Sequence, residues 1–223
     1  FEKTHKVTLS CEEPAFLPLA ITRLATHLLR IESLNKGHCF FHGSAVSKHE
    51  RSIILAGRKK SGKTTLAIEM MRNHNADFIS NDNPSVKYIN DTWHCIGWPR
   101  SIRIRQNMMY ASGLLSDEVI GGPRRVTLSH PLSLGLTLPR APNETMLDVT
   151  HIFPFELKAL LQTNLRAKAR LKAVVFLQSD NKIGEPKLER LSKSAASSFF
   201  EENTFPHIQL PGLEHAPYLY KLV

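Results

Sequence analysis

Apolar and polar residues alternate with two different periods along this chain, and the changes of period divide it into helices and strands. Residues 15–33 repeat apolar side chains at steps of three and four, which predicts an amphipathic helix, and Gly37 predicts a left-handed C-cap after it. Apolar runs bounded by turn residues predict strands at 38–46, 52–56, 78–80 and 173–177, with further short strands within 84–105. Helical patterns predict helices at 63–73, 155–166 and 186–202.

These elements predict one α/β domain that spans residues 1–223, because no linker or change of composition marks a boundary. The pair Asn90-Asp91 predicts a tight turn between two of the short strands. From about 110 to 150 no long periodic segment is visible, and we expect an irregular insertion or a lid there.

Composition supports a packed core and adds a strong positive charge. Hydrophobic residues make up 42% of the chain, which argues against a largely disordered protein. No apolar run is long enough to predict a membrane span. The formal net charge of +9 favours a polyanionic partner, which the charge alone leaves open between nucleic acid, an acidic membrane and a phosphorylated ligand.

The cysteines and histidines point away from a disulfide framework and from zinc. The chain has three cysteines with no CxxC motif, and its histidines show no metal-binding spacing. This usage favours a reducing compartment, so we expect a cytoplasmic protein. Since the sequence starts at Phe1 rather than at Met, we also expect its natural N-terminus to lie upstream.

The most informative segment is a phosphate-loop motif, GxxxxGK[ST], that runs from Gly57 to Thr64. Its glycines allow the backbone to wrap a phosphate, and the amides at the start of the following helix point at the anion. Lys63 would reach the terminal phosphates of a nucleoside triphosphate such as ATP, and the Thr64 hydroxyl would ligate Mg²⁺. A lysine-rich surface turn is the alternative interpretation. The residues assigned to phosphate binding are Gly57, Ser61, Gly62, Lys63, Thr64 and Thr65.

Phosphoryl transfer also needs a carboxylate for the metal, and Asp82 is the best candidate. It follows the apolar strand at 78–80, eighteen residues after Thr64. A strand next to the phosphate-loop strand would deliver this carboxylate beside Mg²⁺. The alternative is a turn aspartate that caps the Asn83-Pro84 segment.

Several segments together resemble the HPr serine kinase/phosphorylase family, and more closely the shorter HPr-kinase-like proteins of bacterial gene clusters. They are His42-Gly43-Ser44-Ala45-Val46, the phosphate loop, Ser80-Asn81-Asp82, and the run from Gly97 to Arg105. That run is similar to a Gly-x-Pro-x-x-(apolar)-Arg strand of the shorter proteins. The resemblance covers about residues 15–105, with a looser match at 171–177.

The resemblance implies a P-loop kinase domain of the HPr kinase/PEP-carboxykinase-like type with a mixed β-sheet. It implies ATP-dependent phosphorylation of a hydroxyl, usually that of a serine. By position, Lys63 would bind the phosphates, Thr64 and Asp82 would hold Mg²⁺, and His42 would lie near the reacting phosphate. The larger enzymes carry a carboxylate, thought to be the general base, where this chain has Asn81. The candidate catalytic residues are therefore Asp82, His42, Lys63 and Asn81.

An amide does not accept the proton, so base catalysis falls to Asp82, to His42 or to positioning alone. The C-terminal signature with which full HPr kinases meet their protein substrate is not recognisable, so HPr itself is not the expected acceptor.

The remaining basic residues have two interpretations each. Arg105 on a strand, and Arg124 and Arg125 after a glycine pair, suit a lid that clamps phosphates or an acidic substrate, and a solvated basic loop fits them equally well. The alternating cations at 166–172 predict a solvated stretch that leads into a core strand.

Our leading hypothesis is a kinase with ATP and Mg²⁺ as cofactors, acting on a small-molecule or peptide hydroxyl. A catalytically weak nucleotide-binding regulatory protein and a nucleic-acid-dependent ATPase are the alternatives. The sequence disfavours nucleic acid, because it lacks the interleaved aromatic and basic residues of an RNA-binding strand pair. The oligomeric state stays open.

Overall fold

The computed structural model describes residues 8, 17–98, 102–105, 149–152, 154–178 and 185–204. Its helices are α1 (Leu17–Asn35), α2 (Lys63–His74), α3 (Pro154–Leu161) and α4 (Lys193–Asn203). Its strands are β1 (Cys39–Phe40), β2 (Gly43–Lys48), β3 (Arg51–Gly57), β4 (Asp77–Asn81), β5 (Ser85–Ile89), β6 (Thr92–Ile96), β7 (Ile102–Arg105), β8 (Val149–Ile152) and β9 (Lys168–Leu177). None of the described helices is both long and apolar enough to cross a membrane.

Seven of these strands form one mixed sheet in the order β1-β5-β6-β9-β3-β2-β4. Within it β3 and β9 run parallel, whereas the other described neighbours are antiparallel. Strands β7 and β8 pair separately as a two-stranded sheet. The expectation of an α/β fold with a mixed sheet is therefore confirmed.

The position of β4 corrects one expectation. We expected the strand before Asp82 to lie next to β3, but β2 lies between them, with Ala45 paired to both Ile54 and Ser80. Because β2 is antiparallel to both neighbours, β3 and β4 run in the same direction and end at the same edge of the sheet. The carboxylate after β4 is still delivered to the edge where the phosphate loop begins.

Strand β3 is buried on both faces, which explains its continuous apolar run. Leu55 packs with Ile68 and Met71 of α2 on one face, and the β7–β8 sheet contributes to the same cluster. On the other face, Ile54 and Ala56 belong to a second cluster. This double packing anchors the strand that carries the phosphate loop.

The single strand predicted at 38–46 is wrong, because β1 pairs with β5 and β2 pairs with β3 and β4. Most other predicted elements are present with shifted ends, and several of these ends are explained by caps. The left-handed conformation predicted at Gly37 is confirmed by its φ of 81°. Helix α3 ends earlier than predicted, at Leu161, where Gln162 adopts a φ of 52°. Helix α4 starts later than predicted, because the Ser192 hydroxyl accepts a hydrogen bond from the Ala195 amide and caps it.

Two further outcomes concern turns and strand length. Asn90 and Asp91 have φ angles of 46° and 58°, which confirms the predicted turn between β5 and β6. Strand β9 begins at Lys168, so the cations at 168–172 belong to the strand itself and do not merely lead into it. The insertion predicted at about 110–150 lies outside the described residues, except for the first two positions of β8.

Candidate nucleotide-binding site

The phosphate-loop motif lies between a buried strand and a helix, as its chemistry requires. Strand β3 ends at Gly57 and α2 begins at Lys63, one residue after Gly62. Gly62 is the N-cap residue with a left-handed φ of 90°, and no side chain caps the helix there. Within the described residues, the N-terminus of α2 therefore has no side-chain cap at Gly62, which suits an anion there.

The interior of the loop fits a phosphate on two observations. A Cβ atom at Gly57 would lie 2.5 Å from the Leu177 carbonyl oxygen and 2.7 Å from the Ser61 hydroxyl oxygen, so only glycine leaves this space open. The Ser61 hydroxyl is buried and has no hydrogen-bond partner within the described part of the chain. A buried hydroxyl without a partner is costly, and a phosphate oxygen would satisfy it.

We expect Gly57→Ala to lower the free energy of unfolding by about 3 kcal/mol, because the new methyl group meets a strand carbonyl and the φ of 143° strains an alanine. Chemical denaturation of the purified variant measures this. Gly37→Ala is the matched control, since its φ is also positive but nothing lies within 4 Å. That change should cost only about 1 kcal/mol. Equal costs for the two variants would contradict the tight contact at Gly57.

Lys63 lies over the start of the loop. Its ammonium donates hydrogen bonds to the carbonyl oxygens of Gly57 and Arg58, each at 2.7 Å, and the residue is 8% exposed. Burial lowers the pKa of Lys63, whereas the Asp82 carboxylate raises it. Since an ammonium has three N–H donors, one remains beyond these two carbonyls for a phosphate oxygen.

The Thr64 hydroxyl is oriented by Asn81 at the end of β4. The amide oxygen of Asn81 accepts hydrogen bonds from the Thr64 hydroxyl at 3.1 Å and from the Ser44 hydroxyl at 2.6 Å. A threonine that gives its proton to this oxygen keeps its lone pairs for a metal ion. Asn81, which is only 2% exposed, therefore fixes the orientation of the Thr64 hydroxyl from the interior of the protein.

Ser44 is a buried partner of Asn81 that no local sequence pattern predicts. It lies 37 positions from Asn81 and becomes its neighbour through the β2–β4 pairing. The one available signal was its place directly after His42-Gly43, in the segment that carried the family resemblance.

Asp82 and His42 meet Lys63 at the same edge of the sheet. Asp82 follows β4 with a left-handed φ of 68° and is partly exposed. His42 precedes β2, and its amide donates to the Asn203 carbonyl at 2.9 Å. Burial and the Lys63 charge lower the pKa of His42, and the Asp82 carboxylate opposes this change. Three predicted residues from separate segments thus interact electrostatically.

The lowered pKa of His42 makes stability depend on pH. The unfolded chain takes up this proton near the ordinary value of 6.5, before the folded protein does, so stability should fall as pH drops below that value. We expect His42→Gln to remove part of this fall, as measured by melting temperature against pH. An NMR titration should also show a lower pKa of His42 in Asp82→Asn, which has lost the opposing carboxylate. A higher pKa there would contradict the arrangement.

The residues at this edge fit Mg²⁺ that arrives with a nucleotide. Thr64 and Asp82 offer a hydroxyl and a carboxylate oxygen, which are the hard ligands that Mg²⁺ prefers. The described residues contain no cluster of three or more His, Cys, Asp or Glu side chains. Mg²⁺ needs no such cage, because it is commonly held by one or two protein oxygens together with phosphates and water.

The other predicted residues divide into three groups. Thr65 lies exposed in the first turn of α2. Arg105 ends β7, where it pairs with Val149 in the small sheet. Arg124 and Arg125 lie outside the described residues, so the arginine lid stays a prediction.

The fold and the site define an α/β protein with a phosphate-loop motif at the end of a buried strand. No protein-family model matches the chain. No curated protein matches it significantly. Eight chains of solved structures match it. One is the Hpr(Ser) kinase/phosphatase from Coxiella burnetii, with 9% sequence identity and a TM-score of 0.35.

That match covers 68% of this chain and 65% of the Coxiella burnetii protein, slightly less than two thirds of its length. The likeness is distant, and a TM-score this low supports no transfer of fold or function.

Proposed function

We propose that this protein is an ATP- and Mg²⁺-dependent phosphotransferase with an HPr-kinase-like P-loop domain. It transfers the γ-phosphoryl group to a hydroxyl of a small metabolite, an amino acid or a peptide. The observation that carries the proposal is the meeting of the phosphate loop, Thr64, Asp82 and His42 at one edge of the sheet.

In the proposed complex the amides of α2 and the Lys63 ammonium bind the phosphates of ATP. Thr64 and Asp82 would hold Mg²⁺, whose positive charge would stabilise the charge on the phosphate oxygens. Asn81 and Ser44 keep the Thr64 hydroxyl turned for this role, through the two hydrogen bonds to the Asn81 oxygen. The buried contacts of β3 hold these groups in place before the nucleotide binds.

In the proposed transfer, the acceptor oxygen forms a bond to the γ-phosphorus while the bond from that phosphorus to the β,γ-bridging oxygen breaks. ADP leaves with the electron pair of the broken bond, and the acceptor loses its hydroxyl proton. We assign this proton to His42, because Asp82 would be shared with the metal and the lowered pKa favours the neutral imidazole.

The direct test is to incubate the purified protein with labelled ATP, Mg²⁺ and separate pools of acceptors. The pools are hydroxylated metabolites, free hydroxyl amino acids and serine-containing peptides. We expect labelled phosphate to appear in one pool only, with ADP formed in equal amount and none formed after chelation of Mg²⁺. Failure to bind ATP at all would overturn the proposal.

Asn81 favours one alternative, a nucleotide-binding regulatory protein with weak catalysis. The resemblance noted above places a carboxylate where this chain has a buried amide, and that amide is already occupied by Ser44 and Thr64. Binding of ATP without transfer to any pool would favour this alternative over the phosphotransferase.

A further inference from the structure

A second charged site lies at the opposite end of β3 from the phosphate loop. Here the β2–β3 turn, the first residues of β3 and β9, and the neighbouring strand β6 line an open cavity of about 360 Å³. Its charged and titratable lining residues are His49, Glu50, Arg51, His94, Lys168 and Arg170. We call this the basic cavity.

The strand register brings the cations together on one face of the sheet. Arg170 of β9 is paired with Arg51 on β3 and with His94 on β6. Directly paired residues point to the same face, with Cβ atoms about 5 Å apart. Lys168 lies two positions before Arg170 on β9, so it shares that face.

Among the described residues, these cations have no carboxylate partner in an ion pair. Within the part of the chain that the structure describes, Arg51, Lys168 and Arg170 form no ion pair, whereas nearby Arg166 is bound to Asp77 at 2.8 Å. Of the described residues that line the cavity, Glu50 is the one carboxylate. Like charges placed opposite one another in a sheet are destabilising, and a bound anion would relieve the repulsion.

We propose that the basic cavity binds a small polyvalent phosphate ligand at a site separate from the phosphate loop. Six residue steps of extended strand separate Arg51 from Gly57, which corresponds to about 20 Å. The phosphates of a nucleotide bound at the phosphate loop are too short to reach the basic cavity. The volume matches the lower end of small-molecule sites, which suits a ligand of di- or triphosphate size.

The aromatic residues favour a small ligand over single-stranded nucleic acid. Tyr88 and Trp93 form an exposed pair across β5 and β6, with ring centroids 5.2 Å apart. Trp93 directly precedes His94 on β6, so its ring lies on the opposite face of the sheet from the cations. Bases bound at the basic cavity would therefore lack this stacking surface.

Inorganic tripolyphosphate is the probe, titrated by calorimetry at about 0.15 M salt, where exposed charges are screened. The measurements use Lys63→Ala protein, which removes the phosphate-loop lysine and makes the test independent of ATP binding. We expect saturable binding, and we expect Arg51→Ala with Arg170→Ala to weaken it at least tenfold, because two charge-assisted contacts are lost. Lys158→Ala, which removes an exposed cation on α3, is the matched control and should change nothing.

Equal affinity in the double variant and the control, or no binding to Lys63→Ala protein, would overturn the proposal. Tighter binding of a short oligothymidylate than of tripolyphosphate, lost in the double variant, would overturn the small-ligand assignment. If the double variant does not fold, Arg170→Gln and Lys168→Gln separately provide the same comparison, with a several-fold loss expected from each. None of these outcomes depends on phosphoryl transfer, so the proposed function and this site fail independently.

Discussion

Lys63→Ala is expected to lower ATP-dependent phosphoryl transfer on the order of a thousandfold. Lys63 supplies the one buried cation that the described residues place over the phosphate loop, with its ammonium between the Gly57 and Arg58 carbonyls. A charged donor aimed at developing negative charge contributes most in a water-poor site, and losing one such donor costs about a hundredfold to a thousandfold. The rate of ADP formation with the responsive acceptor pool measures the effect, and ATP affinity is measured alongside it.

Lys48→Ala is the matched control for Lys63→Ala. Its ammonium also donates to a backbone carbonyl, that of His74 at 2.8 Å, but it is exposed and lies at the far end of β2. We expect its turnover to equal that of the wild type. Full turnover by Lys63→Ala, with a normal thermal melt, would show that the phosphate loop does not serve this reaction.

Asp82→Asn is expected to reduce transfer on the order of a hundredfold and to raise the Mg²⁺ concentration needed for half-maximal rate. The change removes a negative charge from the proposed metal site and keeps the shape of the side chain. Asparagine tolerates the left-handed φ of 68° at this position, so the fold should persist. Initial rates over a series of Mg²⁺ concentrations measure both effects.

Asp91→Asn controls for the general effect of an aspartate-to-asparagine change. Asp91 has a similar φ of 58° but lies exposed in the β5–β6 turn. We expect it to match the wild type in rate and in Mg²⁺ dependence. An unchanged Mg²⁺ dependence in Asp82→Asn would exclude Asp82 from the metal site and return it to the turn-capping interpretation.

Lys63→Ala and Asp82→Asn remove charges that interact with each other and with His42, so their effects on activity are coupled. Asp82 raises the pKa of both His42 and Lys63, while Lys63 lowers that of His42. Residues that share partners in this way are not additive. A double variant should therefore lose less activity than the product of the two single losses.

Local sequence patterns were sufficient to predict the phosphate loop and its flanking elements. Its strand, glycines and helix are contiguous in the sequence. The apolar run before Gly57 predicts β3, and the helical run after Thr64 predicts α2. The end of β4 before Asp82 was predicted in the same way. Such elements depend on backbone preferences and short-range periodicity, which the sequence carries directly.

Pairing between distant segments could not be predicted in this way. The sequence does not state that β2 lies between β3 and β4, that Ser44 meets Asn81, or that Arg170 lies between Arg51 and His94. Each of these neighbours depends on strand order and register, which are set by how the whole core packs.

By itself, then, the sequence determined a phosphate loop, its flanking strand and helix, a carboxylate after a later strand, and a chain with a charge of +9. The tertiary structure decided which of these groups meet. It made Asn81 the hydrogen-bond partner of Thr64, and it gathered part of the positive charge into the basic cavity. The physical reason is that contacts between residues tens of positions apart form only when the strands assemble into the sheet. They therefore leave no local pattern in the sequence.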